Sequence, residues 1–88
     1  MKIKEWYVQS VMDQAEYVVT KMGRKSCVVH MTLPNGYELV EAAICCDPAN
    51  YDEDVGLEVA KKNLETRVWQ SLGYAAHLGA LPLEAMEE

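Results

Sequence analysis

The sequence predicts an α+β fold: a short N-terminal helix, a three-stranded antiparallel meander and one long C-terminal helix, assembled as an oligomer. Three observations point to it. β-Branched and aromatic residues concentrate between residues 16 and 46 and are interrupted twice by turn residues. An apolar stripe at steps of three and four follows, through Leu57, Ala60, Leu64, Val68 and Leu72. The chain has 88 residues with no repeat, low-complexity tract or linker, so residues 1–88 form a single domain.

Residues 3–14, IKEWYVQSVMDQ, carry apolar side chains at Ile3, Tyr7, Val8 and Val11, the spacing of a short amphipathic helix. EYVVTKM at 16–22 reads as a strand, and Gly23-Arg24-Lys25-Ser26 as the turn that ends it. In CVVHMTL at 27–33, Cys27, Val29, Met31 and Leu33 share one face, and Val28, His30 and Thr32 the other. Pro34-Asn35-Gly36 then predicts a tight hairpin, because Asn-Gly tolerates positive φ. The returning strand is YELVEAAICC at 37–46.

Asp47 and Pro48 stop the sheet, and Asn50 with Glu53 fits a capping box. Asp52, Glu53 and Asp54 suit the positive end of a helix dipole and are read as capping groups, not as an acid/base pair. The helix is expected from about Tyr51 to Leu72, with Gly73 as its C-cap and a weakly patterned, frayed tail beyond.

The returning strand is apolar on both faces, with Leu39, Ala43 and Cys45 on one and Val40, Ala42, Ile44 and Cys46 on the other. One long and one short helix cover a single face of such a sheet. An uncovered apolar face is an aggregation liability, so self-association is expected, as a dimer or a higher assembly such as a hexamer.

Composition excludes several function classes. The net charge of −6 leaves no cationic stripe for a DNA or RNA duplex. No apolar run approaches the roughly 20 residues of a membrane span, and MKIKEWYVQS lacks a signal-peptide apolar region. The cytoplasm is the expected compartment. Three cysteines, Cys27, Cys45 and Cys46, are an odd number, and the adjacent pair points to opposite strand faces; reduced thiols are expected.

Chemistry-bearing patterns are sparse. There is no C-x-x-C, and His30 and His77 are far apart, so no metal is expected. Cys27 and His30 lie on opposite strand faces, a poor nucleophile–base arrangement. No G-x-S-x-G, phosphate-loop or dinucleotide fingerprint occurs. The chain is therefore expected to bind something without catalysis or a cofactor. Its two arginines are Arg24, beside Lys25 on the first turn, and Arg67, on the flank of the helix stripe near Asn63. Arg67 reads either as a solvated arginine with its stem on the core edge, paired to an acid, or as a bidentate phosphate donor.

One set of residues resembles a known family. Asn35-Gly36-Tyr37, then C-C-D-P-A-N-Y-D at 45–52, then Gly56, Ala60, Trp69 and Gly73-Tyr74, is similar to small tailed-phage proteins, in the family that includes Thoeris anti-defence protein one. The resemblance covers residues 16–75 and is most specific in D-P-A-N-Y-D. It implies a sponge in the host bacterial cytoplasm that sequesters a cyclic ADP-ribose isomer, or a cyclic oligonucleotide, without cleaving it. It also implies an antiparallel sheet with helices, assembled through dimers. By the same resemblance Asp52 accepts hydrogen bonds from ribose hydroxyls, Asn50 bonds to ribose or base, and Arg67 binds the pyrophosphate. The family's stacking aromatic falls near Val40 here, so Tyr37 or Tyr51 takes that role, and Ser71 replaces a second helix arginine. Arg24 and Lys25 complete the candidate set. The competing expectation is an acidic, anti-CRISPR-like inhibitor that binds a host defence protein through its negative charge.

Overall fold

A computed structural model describes residues 2–44 and 53–87. A short strand β1 (Lys2–Ile3) leads into helix α1 (Glu5–Gln14). Strands β2 (Glu16–Met22), β3 (Ser26–Thr32) and β4 (Glu38–Ile44) follow, then the long helix α2 (Glu53–His77). A 3₁₀ turn (Leu83–Ala85) precedes strand β5 (Met86–Glu87). The fold is α+β, as the sequence predicts. The capping box expected at Asn50, together with Cys45 and Cys46, lies outside the described residues.

The meander has the order β2-β3-β4, antiparallel throughout. Val18, His30 and Val40 are aligned across the three strands, as are Tyr17, Met31 and Leu39. Period-two alternation decides which face is buried. Cys27, Val29 and Met31 are fully buried, and Cys27 carries a free thiol. Val28, His30 and Thr32 point the other way. Helix α2 packs on β3 and β4 from the buried side alone, through Ala60, Leu64 and Val68, all fully buried. Leu57 and Leu72 extend the same stripe, partly buried.

Helix α1 adds Val8 and Met12 to this core. It ends where Ala15 turns extended, and the next strand begins at once. The Tyr17 hydroxyl donates to the Met12 carbonyl at 2.8 Å, tying the end of α1 to β2. Burial, then the charges of Asp13 and Glu65, raise the Tyr17 phenol above its ordinary value of 10.0.

The hairpin at Pro34-Asn35-Gly36 forms, but as a three-residue loop. Leu33 accepts from the Gly36 amide, and the Leu33 amide donates to the Tyr37 carbonyl, each at 2.8 Å. Only Gly36 takes positive φ (90°); Asn35 does not.

Two expectations about the C-terminal third are corrected. Gly73 is not the helix cap. It lies inside α2, where a Cβ would meet nothing, and the helix runs on to His77. Gly79, with φ of 69°, makes the reversal. The Ala80 amide reaches the Ala75 carbonyl at 2.9 Å and the Gly79 amide reaches Ala76 at 3.0 Å, the paired bonds of a Schellman motif. Nor is the tail frayed. Met86 and Glu87 pair antiparallel with Ile3 and Lys2, the Lys4 amide donates to Ala85 at 2.8 Å, and Ala85 is fully buried. Strand β1 also takes the first residues expected in the N-terminal helix. Two-residue strands carry no periodicity, so only their long-range pairing could reveal them.

Among the described residues no helix lies over the opposite sheet face. Val18, Met22, Val40 and Ile44 are exposed there, and Ile44 retains 72% of its surface. The radius of gyration is 15.0 Å, against about 12 Å for a compact chain of this length.

Leu64→Ala is expected to cost about 2–5 kcal/mol in urea unfolding, since the site is fully buried at the helix–sheet contact. Tyr17→Phe should cost about 1 kcal/mol at neutral pH through loss of the bond to Met12. A raised folded-state pKa means that Tyr17 contributes stability below its unfolded pKa and loses it as pH climbs through the folded value. The deficit of the Phe variant should therefore shrink in melts above about pH 10.

Candidate functional site

Helix α2 carries Arg67, Gln70, Ser71 and Tyr74 at steps that keep them on one side, facing the β3–β4 hairpin. Between helix and hairpin lies an open groove of about 670 Å³. Leu33, Leu39 and Leu72 give it an apolar floor; Asn35, Tyr37, Arg67, Gln70 and Tyr74 stand around it. A few polar groups over an apolar floor is the usual make-up of a small-molecule site.

Arg67 is held by the sheet edge. Its Nη1 donates to the Val40 carbonyl at 2.6 Å and lies 3.5 Å from Glu41 Oε2. β4 is an edge strand, so this bond caps a carbonyl that has no strand neighbour. The stem-on-core, acid-paired reading of Arg67 thus describes this conformation. Nη2 and Nε leave further donors for an anion, which would compete with Glu41. Ser71 turns its hydroxyl back to the Arg67 carbonyl at 2.9 Å, so position 71 supplies neither a cation nor a free donor.

Tyr37 is placed by the hairpin. Asn35 Oδ1 accepts from the Tyr37 amide at 3.0 Å, which holds the tyrosine at the turn exit and leaves the asparagine NH₂ unspent by that bond. The ring is exposed, as is that of Tyr74. Val40, near which the resemblance would place a stacking aromatic, points to the sheet face opposite α2 and away from the groove.

Among the candidates read from sequence, Tyr37 and Arg67 line one groove. Arg24 and Lys25 do not join them. They are exposed on the turn beyond the Met22–Ser26 pair, whereas Tyr37 follows the Thr32–Glu38 pair at the other end of the sheet. Six residues of strand separate those ends, about 20 Å. Asn50, Tyr51 and Asp52 lie outside the described residues. Sequence reading missed Asn35, Gln70 and Tyr74 as lining residues. Tyr74 is two helical turns after Arg67, a spacing that would have flagged it had the helix not been ended at Gly73.

A second groove, about 770 Å³, lies between the end of α1 and α2. Asp13, Glu58 and Glu65 face it together with Lys61 and Lys62. Lys61 Nζ sits 4.5 Å over the Tyr17 ring. Three carboxylates make this groove a poor host for a phosphate despite its size. On the uncovered sheet face, His30 Nε2 meets Glu38 Oε1, while Cys27 is buried on the other side of the strand. No group of three or more His, Cys, Asp or Glu able to hold a metal occurs among the described residues.

Fold and groove together define a small α+β domain with an arginine and two tyrosines around one open cleft. The chain belongs to the phage protein (N4 Gp49/phage Sf6 gene 66) family, whose model it matches over residues 3–78. No curated protein and no solved structure matches it. No helix among the described residues is long and apolar enough to cross a membrane.

Arg67→Ala should cost about 1–2 kcal/mol of folding stability, because its ion pair with Glu41 is partly exposed while its bond to the Val40 carbonyl is charge-assisted. Urea unfolding checks this; a loss above about 3 kcal/mol would mark Arg67 as a structural strut.

Proposed function

We propose that this phage protein is a sponge: it binds and sequesters a small cyclic nucleotide signal, a cyclic ADP-ribose isomer or a cyclic oligonucleotide, in the host bacterial cytoplasm, and does not cleave it. The observation that carries this reading is the meeting of Arg67 and Tyr37, remote in sequence, on one groove with an apolar floor. Arg67 would bind the phosphates and the tyrosine would stack on a base. Asn50, Tyr51 and Asp52 enter the reading through the family resemblance alone.

One charge-assisted contact contributes about 1.5–3 kcal/mol, whereas nanomolar binding needs about 12 kcal/mol. The remainder would come from stacking and from burial by a second subunit. The exposed apolar side chains Val18, Val40 and Ile44 on the sheet face that α2 leaves open support self-association through that face. Light scattering at micromolar concentration is expected to give a dimer or larger; a monomeric mass refutes the assembly. An inhibitor that mimics nucleic acid would gather acidic side chains alone on one surface. The groove between the helices mixes Asp13, Glu58 and Glu65 with Lys61 and Lys62 and is not such a surface.

Titration calorimetry with cyclic ADP-ribose isomers and cyclic oligonucleotides tests the reading directly. Heat with at least one of them is expected, and intact ligand should be recovered after denaturation; no heat with any member sinks it. Arg67→Ala should weaken binding roughly ten- to a hundredfold. Glu41→Gln should tighten it roughly two- to fivefold, because the carboxylate beside Arg67 no longer competes with phosphate.

A further inference from the structure

We infer that the outer edge of β2 pairs antiparallel with β2 of a second copy, about a two-fold axis at Val19, so that Arg24 and Lys25 of each chain meet Asp13 and Glu16 of the other. The inference rests on the self-association proposed above and adds a second surface to it, one that no ligand need occupy.

The two edges of the meander differ. The Leu33 amide donates to the Tyr37 carbonyl, which makes these two residues a hydrogen-bonded pair. Such pairs recur at every second residue of an antiparallel ladder. On β3, Cys27, Val29 and Met31 therefore bond toward β4, and Val28, His30 and Thr32 toward β2. Carried across the sheet, the alternation turns the Val40 carbonyl outward on β4, where Arg67 meets it. On β2 it turns the amides and carbonyls of Tyr17, Val19 and Lys21 outward. The β4 edge is engaged by α2. At the β2 edge no bond to the amide or carbonyl of Tyr17 or Val19 occurs among the described residues. Nor does β2 carry a proline or a bulge, the usual devices that block a neighbouring strand.

Charge selects a second copy as the neighbour. Asp13 and Glu16 are exposed where β2 begins, and Lys21, Arg24 and Lys25 are exposed where it ends. Antiparallel pairing of β2 with itself lays the acidic start on the basic end, twice by symmetry. Parallel pairing would set like charges side by side. The pairing also gives Arg24 and Lys25, remote from the groove, a role. Each strand of the meander has seven residues, so the bare face measures about 330 Å². A stable complex buries about 800 Å² on each partner. A two-fold axis perpendicular to the sheet keeps both helical layers on one side and joins the two bare faces into one of about 660 Å². Edge pairing thus brings contact through the bare face close to the area that it needs.

Sedimentation equilibrium and residue-resolved amide exchange on the full chain test this. Association at micromolar concentration is expected, with the Tyr17 and Val19 amides protected there and exposed on dilution. Glu16→Lys should weaken association roughly tenfold, as should Arg24→Glu with Lys25→Glu, and all three changes in one chain should restore it to within about threefold. These side chains are exposed, so the urea midpoint should not move. Ile44→Lys, on the bare face, should reduce a larger assembly to a dimer and leave the amides protected. If copies associate while both amides exchange as fast as in the dilute protein, the edge is overturned and association through the face stands. The edge is likewise overturned if the triple change restores nothing, or if Ile44→Lys removes the protection. A monomer at micromolar concentration overturns both surfaces, whatever calorimetry shows for the ligand.

Discussion

The packing of α2 across β3 and β4 is the contact on which the rest of the structure depends. Leu64 and Val68 meet the face formed by Val29 and Met31, and all four are fully buried. A domain of 88 residues buries a modest fraction of its surface, so one well-packed layer must supply most of its stability. With α1 beside α2, the helical layer is used up on one side of the sheet. Two features follow from that one-sidedness: a groove where the helix leaves the sheet and, among the described residues, an apolar sheet face with no helix over it.

The same packing sets the groove's chemistry. Because α2 packs against β4, the edge strand, the side chain of Arg67 reaches and caps the Val40 carbonyl. Arg67 thus holds an edge strand while keeping spare donors. Glu41 balances its charge from 3.5 Å. The hairpin loop closes the other wall, where the bond from Tyr37 to Asn35 sets the direction in which the tyrosine leaves the turn.

Much of this was legible in the residues. The steps Leu57, Ala60, Leu64, Val68 and Leu72 name the buried face of α2, since helical periodicity is a local property of the chain. The alternation of Cys27, Val29 and Met31 does the same for β3. Of the residues named from motif and residue type, Tyr37 and Arg67 share one groove, whereas Arg24 and Lys25 sit at the far end of the sheet. Tyr74 was hidden by Gly73, a residue that often ends helices and here does not. In this chain the reversal belongs to Gly79, whose amide and that of Ala80 close the final turn.

The amino-acid order by itself determines the succession of elements, the face that each one buries and the hairpin at Pro34-Asn35-Gly36, because these rest on propensity and spacing within a few residues. Tertiary structure alone decides that Met86 and Glu87 return to pair with Lys2 and Ile3, and that Arg67 reaches Val40 across 27 residues of chain. Contacts between remote segments depend on how the layers stack, and no local pattern encodes that distance. Whether a tyrosine and an arginine share a groove is therefore settled by where one helix lies on one sheet.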